Sequence, residues 1–307
     1  MRQDFFYPSA DGKNRIHALE WLPEGTPKAT LQLCHGMAEY IARYDAFAAF
    51  LAARGWYVTG NDHLGHGQSA ASAAQLGFFA QPKGNECVIA DIHALRQRTD
   101  ARYPGLPRFM LGHSMGSFLL RQYITQYGEG LSGAIVMGTG AQPGAVLKAG
   151  KAICRTAARF HGWEYRSGLM NSMAFGSYNK RFEPARTPGD WLSRNEASVD
   201  AYNADPLCGF VFTVNGYYHM FRGIEAAQKP ENIARIPKTL PLLLVSGAND
   251  PVGGFGAGVQ QVFESYRAAG LSDVQMKLYP EDRHEILNEL DRETVFADLA
   301  AWLEARS

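Results

Sequence analysis

Long apolar runs are missing from this sequence, and so is any excess of charge. No hydrophobic stretch reaches the roughly 20 residues needed to cross a bilayer. The opening MRQDFFYPSADGKNR has no apolar segment of the kind found in a secretion signal. Both absences predict a cytoplasmic protein with no integral membrane segment. Thirty Lys and Arg residues balance thirty Asp and Glu residues. Such a chain has no broad positive field to attract a phosphate backbone, so nucleic acid is not expected as a partner. Cysteine is scarce: Cys34, Cys87, Cys154 and Cys208 are spaced too widely for a zinc site or a redox pair, and they read as small buried apolar residues. Internal repeats and low-complexity tracts are absent as well.

What remains is the composition of a globular protein, 46% hydrophobic over 307 residues, enough for one large core or a core with a subdomain. The pattern is of strands alternating with helices. TLQLCHG is a short apolar run closed by glycine, after which Tyr44, Phe47, Ala48 and Leu51 recur at helical spacing until Gly55. WYVTGND, RFMLG, GAIVMG, PLLLVSG and VQMKLY repeat the strand pattern. Near the start, two stretches flank ADGKN as in a hairpin, so the sheet is expected to begin antiparallel and continue parallel, covered by helices. From Gly140 to about Arg235 the alternation fails. Scattered aromatics, among them Trp163, Phe175, Tyr178, Trp191, Phe210, Phe212 and Phe221, stand among breakers such as EPARTPGD. The expectation is a core of residues 1–140 and 236–307 with a helical insertion at 141–235. The insertion carries twelve basic and eight acidic residues, a mild imbalance that reads as a solvated face.

FMLGHSMGSFLL sets Ser114 between Gly112 and Gly116, directly after a predicted strand and at the start of a predicted helix. GxSxG in that context is a nucleophile elbow. The glycines have a steric reason, because a β-carbon at either position would collide with backbone across the tight turn. The helix beginning there aims free N–H groups and its positive dipole end at the serine. A serine hydroxyl needs a base, itself oriented by an acid, and in this architecture the acid and then the base follow in chain order after later strands. Asp250 follows PLLLVSG and His284 follows VQMKLY, at separations of 136 and 34 residues. Asp282 is too near His284 along the chain to serve its ring, and the loop after GAIVMG holds no carboxylate before Glu164. His35, His63, His66 and His113 read as braces of nearby turns. The backbone N–H groups of Met37, in HGMAE, and of Met115 are the expected oxyanion donors.

HGMAEYIARY, NDHLGHGQS, GHSMGS, FGSYNKRF, WLSRNEASVDAYNADPLCGF, SGANDPVG and DRHEILNE together resemble the monoacylglycerol lipase and lysophospholipase-like branch of the α/β-hydrolases, from about Leu31 to Leu290. The resemblance implies an eight-stranded, mostly parallel sheet and Ser114, Asp250 and His284 as nucleophile, acid and base. It also implies Met37 and Met115 as the oxyanion donors, and 141–235 as a cap over an acyl-binding site. Two residues depart from the family pattern: Tyr40 stands where His is frequent and Leu64 where Arg is frequent, both expected near the mouth of the site. No cofactor is implied. GAVLKAGKA has five residues between Gly144 and Gly150 and Ala152 at the magnesium-ligating position, so it is not a P-loop. The sequence therefore predicts a serine esterase acting on a small-molecule single-acyl ester. An aminopeptidase or thioesterase on the same fold, or a ligand receptor with a silent triad, remains an alternative at this stage. Contact of the cap with a membrane surface, and the oligomeric state, are left open.

Overall fold

A computed structural model describes all residues, 1–307. In chain order, a hairpin of β1 (Arg2–Pro8) and β2 (Arg15–Trp21) leads to β3 (Ala29–Cys34), α1 (Asp45–Ala52), β4 (Trp56–Asn61), α2 (Gly84–Arg102), β5 (Arg108–His113), α3 (Met115–Tyr127) and β6 (Gly133–Met137). Five helices follow without a strand: α4 (Gly144–His161), α5 (Gly168–Phe175), α6 (Glu196–Ala204), α7 (Val214–Gln228) and α8 (Pro230–Ile233). The chain closes with β7 (Leu242–Gly247), α9 (Ala257–Ala268), β8 (Val274–Tyr279) and α10 (Arg292–Glu304).

The eight strands form one sheet in the order β1-β2-β4-β3-β5-β6-β7-β8. β2 pairs antiparallel with both β1 and β4, and every other pairing is parallel. The antiparallel start and parallel continuation are those the hairpin and the apolar runs call for. Parallel strands buried on both faces should be apolar throughout, with alternate residues feeding opposite layers. Phe109, Leu111, Ile135 and Val245 accordingly join α1 and α10 in one buried cluster, while Met110, Ala134, Val136 and Leu244 join α2, α3 and α9 in another.

The strandless segment has no core of its own. Cys154, Met170, Phe212, Val214 and Tyr217 belong to the same buried cluster as Met110 and Leu120. α7 packs on α3 and α2, and α4 packs along α7. The P-loop-like GAVLKAGKA forms the first turns of α4, where its backbone N–H groups from Val146 onward are spent on hydrogen bonds of the helix rather than turned outward as a phosphate cradle. Cys34, Cys154 and Cys208 are buried and Cys87 is half-buried, all four as free thiols.

Candidate active site

The chain leaves β3, β5, β7 and β8 at the same edge of the sheet, and the four loops there carry the residues singled out from the sequence. Ser114 directly follows β5 and stands at the N-cap of α3 with φ 53° and ψ −121°. A non-glycine residue in that region stores about 1–3 kcal/mol of strain, which the surrounding structure must hold. The flanking glycines make the turn possible. A β-carbon on Gly112 would stand 2.3 Å from the Gly116 carbonyl oxygen, and one on Gly116 would stand 2.1 Å from the Cys34 carbonyl oxygen. Gly36 is similarly constrained, since its β-carbon would come within 3.1 Å of Ser114 Cβ.

Neither the Met37 nor the Met115 N–H has a protein acceptor, and both residues line the same cavity as Ser114. Met115 is the first residue of α3, so its free N–H and the positive helix end coincide. The Met37 loop is held from both sides. Glu39 Oε1 accepts from Gly36 N at 2.6 Å, while Ala38, at φ 52°, accepts through its carbonyl from Gly209 N at 2.9 Å and from the Tyr202 hydroxyl at 3.1 Å.

His284 Nδ1 donates to Asp250 Oδ2 at 3.0 Å, which leaves Nε2 as the nitrogen open to the cavity side. Asp250 is fully buried. Burial alone would raise its pKa, but His284 beside it and hydrogen bonds from His284, the Val252 N–H and the Ser246 hydroxyl hold it below the ordinary carboxylate value. The acid and base loops touch closely at Gly247, where a β-carbon would stand 2.1 Å from the Arg283 carbonyl oxygen. His284 is also flanked by two rings, with centroids 4.7 Å away at His113 and 5.0 Å away at Trp191.

Ser114, His284, Met37 and Met115 share a cavity of about 370 Å³ whose lining is mostly hydrophobic, including Phe118, Leu147, Phe175, Phe210 and Phe221. Of the aromatics in the strandless segment, Phe175, Tyr178, Trp191, Tyr202, Phe210 and Phe221 line it, whereas Phe212 and Tyr217 are fully buried in the main core. Leu64 does not stand near the mouth, contrary to the expectation, and Tyr40, next to the cavity-lining Glu39, does not line the cavity itself. Leu64 is 1% exposed within the core cluster, and Tyr40 lies outside the lining with its hydroxyl donating to Asp205 Oδ2 at 2.7 Å.

His35, His63 and His66 are fully buried braces. His35 Nε2 accepts from His63 N at 2.9 Å, and His66 Nδ1 lies 3.2 Å from the Leu64 carbonyl. Burial pushes the pKa of His35 down to about 4 and that of His66 down to about 3, so both rings are neutral.

Two charged assemblies were not found by reading motifs. Glu39, Arg43, Glu285 and His113 form a buried cluster beneath the cavity. The signal for it was present, since HGMAEYIARY and DRHEILNE both place charged residues among apolar ones. The other joins Asp282, Glu289 and Asp291, whose carboxylates are close enough together to hold a metal ion. The Arg194 guanidinium already bridges Asp282 Oδ1 at 2.7 Å and Asp291 Oδ1 at 3.0 Å, so a cation of the chain fills that place.

Residues 25–291 match the family described as serine aminopeptidase, S33. The chain belongs to this family. It is 28% identical to a monoacylglycerol lipase of Mycolicibacterium smegmatis, over 92% of this chain and 90% of that protein. It is also 28% identical to the human monoglyceride lipase, over 97% of this chain and 89% of that one. Among solved structures, a thermostable carboxyl esterase from Bacillus coagulans, in complex with glycerol, superposes with a TM-score of 0.92 at 28% identity, covering 99% of this chain and 98% of that one. The fold is that of the α/β-hydrolases, as the motifs imply, and the chain is a hydrolase of that class. No helix is long and apolar enough to cross a membrane.

Proposed function

We propose that this protein is a serine carboxylic-ester hydrolase that cleaves single-acyl lipid esters, of the monoacylglycerol or lysophospholipid type, through an acyl-enzyme. The observation that carries the reading is the convergence of Ser114, the Asp250-bound His284 and two unpaired backbone N–H groups on one apolar cavity. Ser114 Oγ attacks the ester carbonyl carbon while His284 Nε2 takes its proton, and the oxyanion is held by the N–H groups of Met37 and Met115. Each such donor is worth about 3–4 kcal/mol to the transition state. The imidazolium then protonates the departing alcohol, leaving the acyl group on Ser114. Water, deprotonated by His284, releases the fatty acid by the reverse path.

Residues 141–235 act in this reading as a cap. Val146, Leu147, Met170 and Phe210 line the cavity from that segment, where they bury an acyl chain and keep water from the oxyanion. The peptidase reading suggested by the family description is less well supported. An aminopeptidase needs a free carboxylate for the substrate ammonium, and the two cavity-lining carboxylates, Glu39 and Glu285, are both engaged by Arg43.

The test is a panel of p-nitrophenyl esters, mono- and triacylglycerols, lysophospholipids and aminoacyl amides, run on the parent and on Ser114→Ala. The expected outcome is single-acyl ester hydrolysis that falls by several orders of magnitude in the variant, with fluorophosphonate labelling lost. Near-normal turnover by Ser114→Ala refutes the assignment, and cleavage of aminoacyl amides without ester preference moves it to the peptidases.

A further inference from the structure

Glu39 and Glu285 are each 4% exposed, and buried carboxylates stay ionised only where positive groups or hydrogen-bond donors compensate them. Arg43 supplies one. It donates to Glu39 Oε2 at 2.6 Å and, bidentately, to both oxygens of Glu285 at 2.7 Å. A second positive group touching the pair is indicated by the hydrogen-bond pattern around His113. His113 Nδ1 lies 2.9 Å from the Tyr44 hydroxyl oxygen and 3.3 Å from Glu39 Oε1. Tyr44 donates its own proton to Glu39 Oε1 at 2.8 Å, so its oxygen meets the ring as an acceptor. Nε2 lies 3.2 Å from the His284 backbone carbonyl, which can only accept. Both ring nitrogens therefore face acceptors. A neutral imidazole has a proton for only one of them, and an imidazolium satisfies both.

We propose that His113 is an imidazolium in the resting protein, closing a buried neutral quartet with Glu39, Arg43 and Glu285 that positions the oxyanion loop, the nucleophile and the base as one unit. Three of its members are a step from a candidate reacting group. Glu39 binds the Gly36 N–H, next to Met37; His113 precedes Ser114 and holds the His284 carbonyl; Glu285 follows His284. The titratable and charged groups packed around the ring are Glu39, Arg43 and Tyr44 from the segment before α1, and His284 and Glu285 from the loop after β8, with Asp250 behind His284. Burial opposes charge on His113, but the hydrogen bond and charge of Glu39, with Glu285 behind them, raise its pKa above the ordinary histidine value. Burial likewise opposes charge on Glu39, yet His113 and Arg43 hold its carboxyl well below the usual range.

The role assigned to the quartet rests on the ester-hydrolase reading, whereas its protonation state does not. Nitrogen-resolved NMR of the histidine rings, with His113 assigned through its backbone, reads that state directly in the unmodified protein. The expected result is two protonated nitrogens on His113 at about pH 7, where an ordinary histidine is mostly neutral. A single protonated nitrogen at that pH overturns the proposal. Glu39→Gln is then expected to remove the second proton from His113 and to lower kcat by about tenfold or more with KM within about twofold. An unchanged kcat in that variant overturns the positioning role. Full turnover by Ser114→Ala would refute the hydrolase reading instead and leave the NMR result standing.

Discussion

Arg194 donates to Asp282 Oδ1 at 2.7 Å, tying the strandless segment to the loop that carries His284. The same arginine donates its backbone N–H to Glu289 at 3.0 Å, and the Leu192 carbonyl accepts from Glu285 N at 2.7 Å. Burial, then the nearby Glu289 and Asp291, push the Asp282 carboxyl up to about 7 against the pull of Arg194.

That shift has a definite sign for stability. Between the ordinary carboxylate range near 4 and about 7, the folded chain keeps a proton on Asp282 that the unfolded chain has lost. The stabilisation is therefore fully present below pH 4 or so and disappears as the pH rises through about 7. Asp282→Asn cannot ionise. Its Tm, taken relative to the parent, is expected to become more favourable between about pH 5 and about pH 8. A difference that stays flat across that interval would mean Asp282 is ionised throughout.

Asp250→Asn tests the acid. The substituted amide offers an N–H where Asp250 Oδ2 now accepts from His284 Nδ1, so the ring is held in the wrong tautomer. The expected loss in kcat is about 10⁴-fold, measured on a soluble ester, with the thermal transition still cooperative. Activity within tenfold of the parent would point to another acid.

Gly116→Ala places a methyl group 2.1 Å from the Cys34 carbonyl oxygen, a backbone atom that cannot swing aside. The elbow has to open, and ester hydrolysis should fall by at least about 100-fold as the nucleophile shifts by a fraction of an ångström. Gly144→Ala is the matched control, because nothing lies within 4 Å of its added carbon. At the start of α4 it should be neutral or stabilising by up to about 1 kcal/mol, with activity unchanged.

If the cavity takes an acyl chain, kcat/KM should rise with chain length. Burying a methylene is worth about 0.8 kcal/mol, a factor of up to roughly fourfold per carbon. A graded series of p-nitrophenyl esters from two to about eight carbons measures it. A preference for acetyl esters would assign the cavity to small substrates.

Most of the sheet could be read from the sequence because its strands are short apolar runs closed by glycine or a turn, and period and punctuation agree. The candidate site was legible for a related reason: strand ends place residues, so Ser114, Asp250 and His284 needed only the order of the strands. The Glu39–Arg43–Glu285 cluster was not legible as a unit: HGMAEYIARY holds Glu39 and Arg43, DRHEILNE holds Glu285, and nothing in the sequence joins the two. Their meeting depends on β3 and β8 ending at one edge of the sheet, with four strands separating them in the chain and three in space. Leu64 misled for the same reason, since proximity in sequence to NDHLGHG gave its neighbourhood but not whether it faces the cavity or the core.

The packing of α4 along α7 bears on how this protein could be recombined with its relatives. α7 rests on α2 and α3 and acts as a platform, so a transplanted 141–235 segment would bring a foreign underside to a native floor. Junctions placed to keep α7 native and exchange only what rides on it avoid that mismatch. One pair must still travel together. A β-carbon at position 150 would meet the Phe221 ring at 2.6 Å, so a donor with any larger residue there needs its own partner at position 221, and the two sites inherit as a unit.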